Sequence, residues 1–424
     1  MSETHYTSAL EYAHMLATVN PKHVASLVRF FESGIKPVAS DGFGVEIEHL
    51  PIHAATGQAA NYYEPEGIEA VLTALAPFYD KDKEYWDNGR LVGLGRKGIG
   101  VSLEPGGQLE CSLGVLRKPE DLIALYREFR RDLDPILERL HLKIINYGYQ
   151  PNTSWADIPV IPKHRYAAMT DYLGHVGRYG LCMMRGSAST QVSIDYQSEA
   201  DAVAKMRLGT AVGPILAWFF RNSPFFEGGP NPFPLLRQEM WDNLDPQRCS
   251  ILPGLYQEGY SFEQNAVNIL STPLMVADLS HTPEYEGDEP VRVAYKDNAG
   301  DVYPDRELND YEVSHILSTH FNDVRLKNFV ELRHWDSLPI ERAERLTEVV
   351  ANLFYNPERF AAVSGYFDGV TSADVRAAKN ELQANGAQAH PYGQSLDFWR
   401  EFLAVEGVLA DVPGDPDRPD AIQE

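Results

Sequence analysis

Cysteine is scarce in this sequence: Cys111, Cys182 and Cys249 are the three in 424 residues. They lie far apart with no Cys-x-x-Cys pair, which speaks against a disulfide framework and against a zinc site. Basic residues are also few. Lys and Arg total 37 against 61 Asp and Glu, a formal charge of −24, whereas binding a nucleic-acid backbone needs a basic face. Long apolar runs are missing too. The most apolar stretch, Ala211 to Phe220, falls well short of the ~20 residues of a membrane span and is expected to be a buried helix. No basic start followed by an apolar run opens the chain, so the expected location is the cytoplasm. No linker, low-complexity segment or fixed-period repeat divides it.

Several motifs are absent or false. There is no Walker lysine loop and no Gly-x-Ser-x-Gly elbow. Gly93-Leu94-Gly95-Arg96-Lys97-Gly98 matches a dinucleotide fingerprint, but Ile99 to Pro105 reads as strand and turn where that fold needs a helix. His49 and His53 are four apart, yet Pro51 between them forbids the helix a zinc-binding pair would use.

What is present is acid in a pattern. In Gly44-Val45-Glu46-Ile47-Glu48-His49, a period of two puts Glu46 and Glu48 on the face opposite Val45 and Ile47. In Leu103-Glu104-Pro105-Gly106-Gly107-Gln108-Leu109-Glu110, flanking apolar alternation around Pro-Gly-Gly predicts a hairpin with Glu104 and Glu110 beside its bend. Each pair alone fits the wet face of an antiparallel strand. Two crowded pairs repel unless a cation neutralises them, and hard oxygen donors suit Mg2+ or Mn2+.

So acidic a chain must reverse its field locally to take an anionic nucleotide. The segment Val324 to Arg333 supplies the cations. As a strand it puts Arg325, Lys327, Glu331 and Arg333 on one face, suited to capturing carboxylate or phosphate, with Glu331 either their ion-pair partner or a further metal ligand. Lys163 and Arg165 sit beside prolines, and the run from Met183 through Arg185 and Gly186 ends in alternation that aligns Gln191, Ser193 and Asp195. A loop at Asn222-Ser223-Pro224 and a helix end at Arg237 to Trp241, followed by Asp245 and Arg248, are expected to carry further ligand contacts.

The strands and hairpins are interleaved with helical stretches at 8–33, 119–141, 199–221 and 340–355, with further helical patterns near 371–385 and 394–410. This is α+β patterning, not alternating βαβ. One catalytic body over 1–355 and a helical extension over 356–424 packed on it is the expected division.

Together these segments resemble the glutamate-cysteine ligases of the plant and bacterial type, over roughly residues 35–355. The resemblance rests on Glu46-Ile-Glu48, Glu104-Pro-Gly-Gly-Gln-Leu-Glu110, Lys163-His-Arg165, Met183 through Asp195, Asn222-Ser-Pro-Phe, Trp241 with Asp245 and Arg248, Ser261-Phe-Glu-Gln264, and Arg325-Leu-Lys327 with Glu331-Leu-Arg333. It implies an antiparallel sheet curved into a funnel-shaped active site with helices outside. It also implies ATP-dependent joining of the glutamate γ-carboxylate to the cysteine amine. By the same resemblance Glu46, Glu48, Glu104, Glu110 and Glu331 would hold Mg2+ or Mn2+, while Arg333, Glu331 and Lys327 would serve catalysis. Lys163, Arg165, Arg185, Gln191, Asp195, Asn222, Trp241, Arg248 and Arg325 would bind ATP or substrate. Many relatives carry arginine where Gly186 stands, and in a strand the neighbouring Arg185 would face the other side. The expected partners are small molecules alone, in a monomer or homodimer; the open alternatives are another amine acceptor or a nucleotide- and metal-binding regulator without turnover.

Overall fold

The computed structural model describes residues 9–37 and 40–405. Its centre is an antiparallel sheet of nine strands among the described residues: β1 (Phe43–His53), β2 (Glu84–Asp87), β3 (Arg90–Arg96), β4 (Ile99–Leu103), β5 (Leu109–Leu116), β6 (Leu142–Ile145), β7 (Ser189–Ile194), β8 (Val324–Leu326) and β9 (Val330–Asp336). They lie in the order β8-β9-β7-β1-β5-β4-β3-β2, with β6 on the far half of β1. The glycine-rich run at 93–98 falls in the β3–β4 hairpin, so no helix follows it. The α+β class expected from the sequence is the class observed.

The two faces of the sheet have different fates. On β1, Val45, Ile47 and His49 turn inward and are fully buried. The His49 ring stacks on Tyr126 of the helix Asp121–Arg139 at 5.7 Å, and its nitrogens meet the Leu109 carbonyl and the Tyr126 hydroxyl, each at 2.9 Å. Burial lowers this imidazole to about 4, so it is neutral and structural. Glu46 and Glu48 occupy the opposite face.

Helix Glu199–Phe219 packs on β9 and contains the apolar run from Ala211, buried as expected. Close approach is built into it: a Cβ on Gly213 would lie 2.0 Å from the His334 ring and one on Gly209 2.7 Å from Leu332. Leu332 and His334 thus face this helix, which turns Glu331 and Arg333 to the other side. No helix among the described residues is long and apolar enough to cross a membrane.

Three local expectations need correction. The stretch 8–33 is two helices, Ala9–Leu16 and Pro21–Glu32, because Asn20 caps the second through the Lys22 N–H and Pro21 starts it. Val324 to Arg333 is a hairpin: the chain turns at Lys327, whose N–H bonds the Phe329 carbonyl at 2.8 Å, and Arg325 pairs across with Glu331. Met183 to Gly186 belongs to a short helix, Gly180–Gly186, ahead of β7. The helices Ser372–Asn385 and Leu396–Phe402 realise the patterns seen near 371–385 and 394–410 as far as residue 405; the Pro- and Asp-rich end lies outside the described residues.

Candidate active site

Register brings the acids together. Glu48 lies opposite Glu110 in the β1–β5 ladder, and Glu46 lies between Ser112 of β5 and Gln191 of β7. Glu104 opens the hairpin bend, which closes through Gly107 N–H to the Glu104 carbonyl at 2.8 Å and needs Gly107 at φ 85°. Gln108 clamps that bend to the next segment: its amide donates to the Met184 and Ser187 carbonyls at 3.2 and 2.8 Å, and its oxygen accepts from Gly106 N–H at 2.8 Å.

The carboxylates differ in their partners. Glu48 accepts from Ser189 N–H at 2.6 Å, the Ser189 hydroxyl at 2.9 Å and Gln191 Nε2 at 3.1 Å. Glu110 accepts from the Ser102 and Ser112 hydroxyls at 2.7 and 3.1 Å. Burial, then Glu104, pushes Glu48 up to about 8; burial, then Glu110 and Glu331, does the same for Glu46. Glu110 is raised as well, by burial and Glu104. In the absence of a counter-cation burial and mutual repulsion favour the protonated forms of Glu46 and Glu48 near neutrality.

Their hard, all-oxygen donor set and mutual repulsion fit a divalent cation in chemistry. No protein donor among the described residues reaches the carboxylate of Glu46 or of Glu104, so both carboxylates remain available to a ligand. No three acids among the described residues converge into a ready-made metal cage, so binding would turn side chains toward the ion.

The cations form a facing arc around Glu331, which is fully buried. It pairs with Arg325 Nε at 2.7 Å, Lys327 Nζ at 2.9 Å and Arg333 Nη1 at 3.0 Å. Burial alone would raise its carboxyl, but these three cations outweigh burial and hold it well below the usual range. Of the two roles open to Glu331 in sequence, both of its oxygens are occupied as an ion-pair partner. Arg333 Nη1 also donates to Gln191 Oε1, so one amide links the basic arc to Glu48 in the acidic arc.

A cleft of about 70 Å³ lies between the arcs, lined among others by Glu48, Glu104, Met184, Arg237, Trp241 and Arg333. Lys163 lies outside that lining, in the wall of a separate cavity of about 790 Å³: Nζ donates to the Leu103 carbonyl at 2.7 Å, and burial lowers its value against the pull of Glu104. Trp241, expected as a ligand contact, does line the cleft, with the Arg237 guanidinium 5.4 Å over its ring. Arg237 is the residue that sequence reasoning undervalued. Its Nε donates to the Arg333 carbonyl at 3.0 Å, and burial lowers it to about 10 against the pull of Glu48. A helix end in sequence gave no sign of which side chain turns inward.

Of the expected residues the cleft lining includes Glu48, Glu104, Trp241 and Arg333. Gln191, Arg325 and Lys327 reach it only through their bonds to Glu48, Glu331 and Arg333, and five further expected contacts are taken up by other partners. Asp195 sits at the far end of β7, paired with Lys36 at 2.7 Å and with Gly42 N–H. Asn222 closes the end of helix Glu199–Phe219, donating to the Asn146 and Ser337 carbonyls. Arg248 is buried in a pair with Asp245 at 2.6 Å and donates to the Pro273 carbonyl. Arg165 donates to Ser318 Oγ at 3.0 Å. Arg185 stacks 5.6 Å over Trp155, its value lowered by burial. Gly186 has no room for a side chain, since a Cβ would lie 2.6 Å from the Tyr149 ring.

An antiparallel sheet that presents carboxylates and guanidiniums around one cleft fits the class of enzymes that handle small anionic substrates. Comparison with known proteins narrows this class. The model of glutamate-cysteine ligase family 2 matches residues 42–412, and the chain belongs to that family. It is 30% identical over 386 residues to glutamate–cysteine ligase A, chloroplastic, of Oryza sativa subsp. japonica, covering 89% of this chain and 76% of that protein. The chloroplastic enzyme of Nicotiana tabacum is 30% identical over 392 residues, 90% of this chain and 72% of that one. The Arabidopsis thaliana enzyme is 29% identical over 383 residues, 87% and 70% respectively. A bifunctional glutathione synthetase from Pasteurella multocida superposes at a TM-score of 0.41 and 12% identity over 95% of this chain and 47% of that one, too loosely to bear on the fold.

The matched relatives are chloroplastic proteins, which overturns the expected cytoplasmic placement. That expectation rested on the lack of a secretory start, which distinguishes export from retention and says nothing about compartments inside the cell.

Proposed function

We propose that this chain is an ATP-dependent ligase that joins the γ-carboxylate of glutamate to the amine of cysteine through a γ-glutamyl phosphate. The observation that carries the reading is the pair of arcs bridged by Gln191, which sets carboxylates and guanidiniums across one cleft. A carboxylate is a poor electrophile. Attack of its γ-oxygen on the terminal phosphorus of ATP forms a C–O–P bond and expels ADP. The cysteine nitrogen then attacks the acyl carbon, phosphate leaves, and the nitrogen loses its proton.

In this reading Arg333, Arg325 and Lys327 hold the transferred phosphoryl group or the substrate carboxylate, because forked and clustered cations favour both. Glu331 sets the spacing of those cations. Arg237 and Trp241 line the cleft, and Lys163 answers the charge of Glu104 from beside it. Glu46, Glu48, Glu104 and Glu110 would hold Mg2+ or Mn2+, which when bound supplies charge neutralisation to the phosphates. The substrates are small molecules, in a monomer or homodimer whose helices after residue 355 form an extension packed on the catalytic body.

Purified chain given ATP, Mg2+ and glutamate should release ADP in a cysteine-dependent manner. A clear preference for another amine at limiting concentration would replace cysteine as acceptor. No amine-dependent turnover at all would sink the ligase reading.

A further inference from the structure

Lys379 belongs to the helix Ser372–Asn385, well after the last strand of the sheet, yet it is only 3% exposed. Its ammonium reaches Asp242 Oδ1 at 2.6 Å, Asp323 Oδ2 at 2.7 Å and Ser250 Oγ at 3.3 Å. Both acids stand directly behind the cleft. Asp242 follows Trp241 in the helix Leu236–Asp242, which also carries Arg237. Asp323 precedes β8, and its carbonyl accepts the Arg333 N–H at 3.1 Å.

The same two helices are joined by three further bonds. Gln238 Nε2 donates to the Lys379 carbonyl at 3.0 Å, while the Gln383 amide accepts from Leu235 N–H at 3.0 Å and donates to the Leu235 carbonyl at 2.9 Å. The helix bearing Arg237 and Trp241 is thus tied at its start by Gln383 and at its end by Lys379. The Asp323 side chain is 12% exposed and that of Asp242 28%; left without the cation between them these two carboxylates would repel each other and separate, taking Trp241 on one side and the backbone of Arg333 on the other.

We propose that Lys379 is a positioning residue for this site: it braces Arg237, Trp241 and Arg333 from behind, and so makes the C-terminal extension part of the active-site machinery. The inference rests on the ligase reading. Small misplacements of substrate-holding groups reduce turnover strongly, so Lys379→Met should lower kcat/KM for glutamate by about tenfold or more. Hydrogen exchange should quicken at residues 236–242 and stay unchanged in the helix Asp121–Arg139 on the other side of the sheet. Gln383→Ala, which leaves Lys379 and its two carboxylates intact, should show the same two effects to a smaller degree and decides the matter if Lys379→Met does not fold. Folded variants with wild-type kinetics overturn the proposal, whether or not exchange changes. An inactive wild-type chain would instead sink the ligase reading, and the exchange comparison would still decide whether Lys379 braces the helix.

Discussion

Replacing Glu48 by glutamine tests whether the acidic arc is held under electrostatic tension. Glu48 is 8% exposed, and burial and Glu104 raise its carboxyl from 4.5 to about 8. A group whose folded-state value lies above its unfolded one contributes stability that is complete below the unfolded value and is lost as pH climbs through the folded one. For Glu48 that window runs from 4.5 to about 8. At about 1.4 kcal/mol per unit, metal-free wild type should therefore lose at most roughly 3 kcal/mol relative to Glu48→Gln between about pH 5.5 and 8.5. The buried histidines His49, His320 and His334 titrate alike in both proteins and cancel in the difference. Thermal melts in EDTA at the two pH values read it directly: the variant's advantage over wild type should be small at the acid end and several degrees larger at the alkaline end. Saturating Mg2+ should then raise the wild-type melt by ligand linkage and leave the variant nearly unmoved. Turnover of Glu48→Gln should be lower by orders of magnitude, since cation-held charge stabilisation supplies several kcal/mol. Equal pH slopes in the two proteins would refute the reasoning, because Glu48 would then be an ordinary carboxylate satisfied by Ser189 and Gln191.

Glu331→Gln leaves three cations around a neutral amide, so it should destabilise the fold by about 3–5 kcal/mol in urea unfolding and weaken glutamate turnover. Arg237→Ala should reduce kcat/KM far more than Arg185→Ala, because the first guanidinium lines the cleft and the second stacks on Trp155; equal losses would misplace the cleft. Gly186→Ala should lower the melting temperature, because its Cβ would lie 2.6 Å from the Tyr149 ring, whose hydroxyl is held by Glu227.

Much of the acidic half of this site was legible because its geometry is local. Alternation at 43–49 and the Pro-Gly-Gly bend at 105–107 dictate which way Glu46, Glu48, Glu104 and Glu110 face, and the sheet register only confirms them as neighbours. The basic run was expected as one strand and is a hairpin. A turn at Lys327 to Phe329 carries no glycine or proline, so the hairpin was hidden, yet the face shared by Arg325, Glu331 and Arg333 survived the change. Contacts across long stretches of chain were not legible at all. Gln191 meets Arg333 and Lys379 meets Asp242 only because the sheet order and helix packing bring them together. The same distance in sequence explains Asp195 and Asn222, whose polar side chains look like ligand contacts but are consumed by Lys36 and backbone carbonyls; Arg248 is consumed locally, by Asp245 three residues before it.

The most direct test follows the oxygen. Glutamate labelled with 18O in its γ-carboxylate, incubated with this chain, ATP, Mg2+ and cysteine, should yield γ-glutamylcysteine together with phosphate carrying one labelled oxygen, visible in its phosphorus resonance. Phosphate released without the label would contradict activation of the side-chain acid between the two arcs.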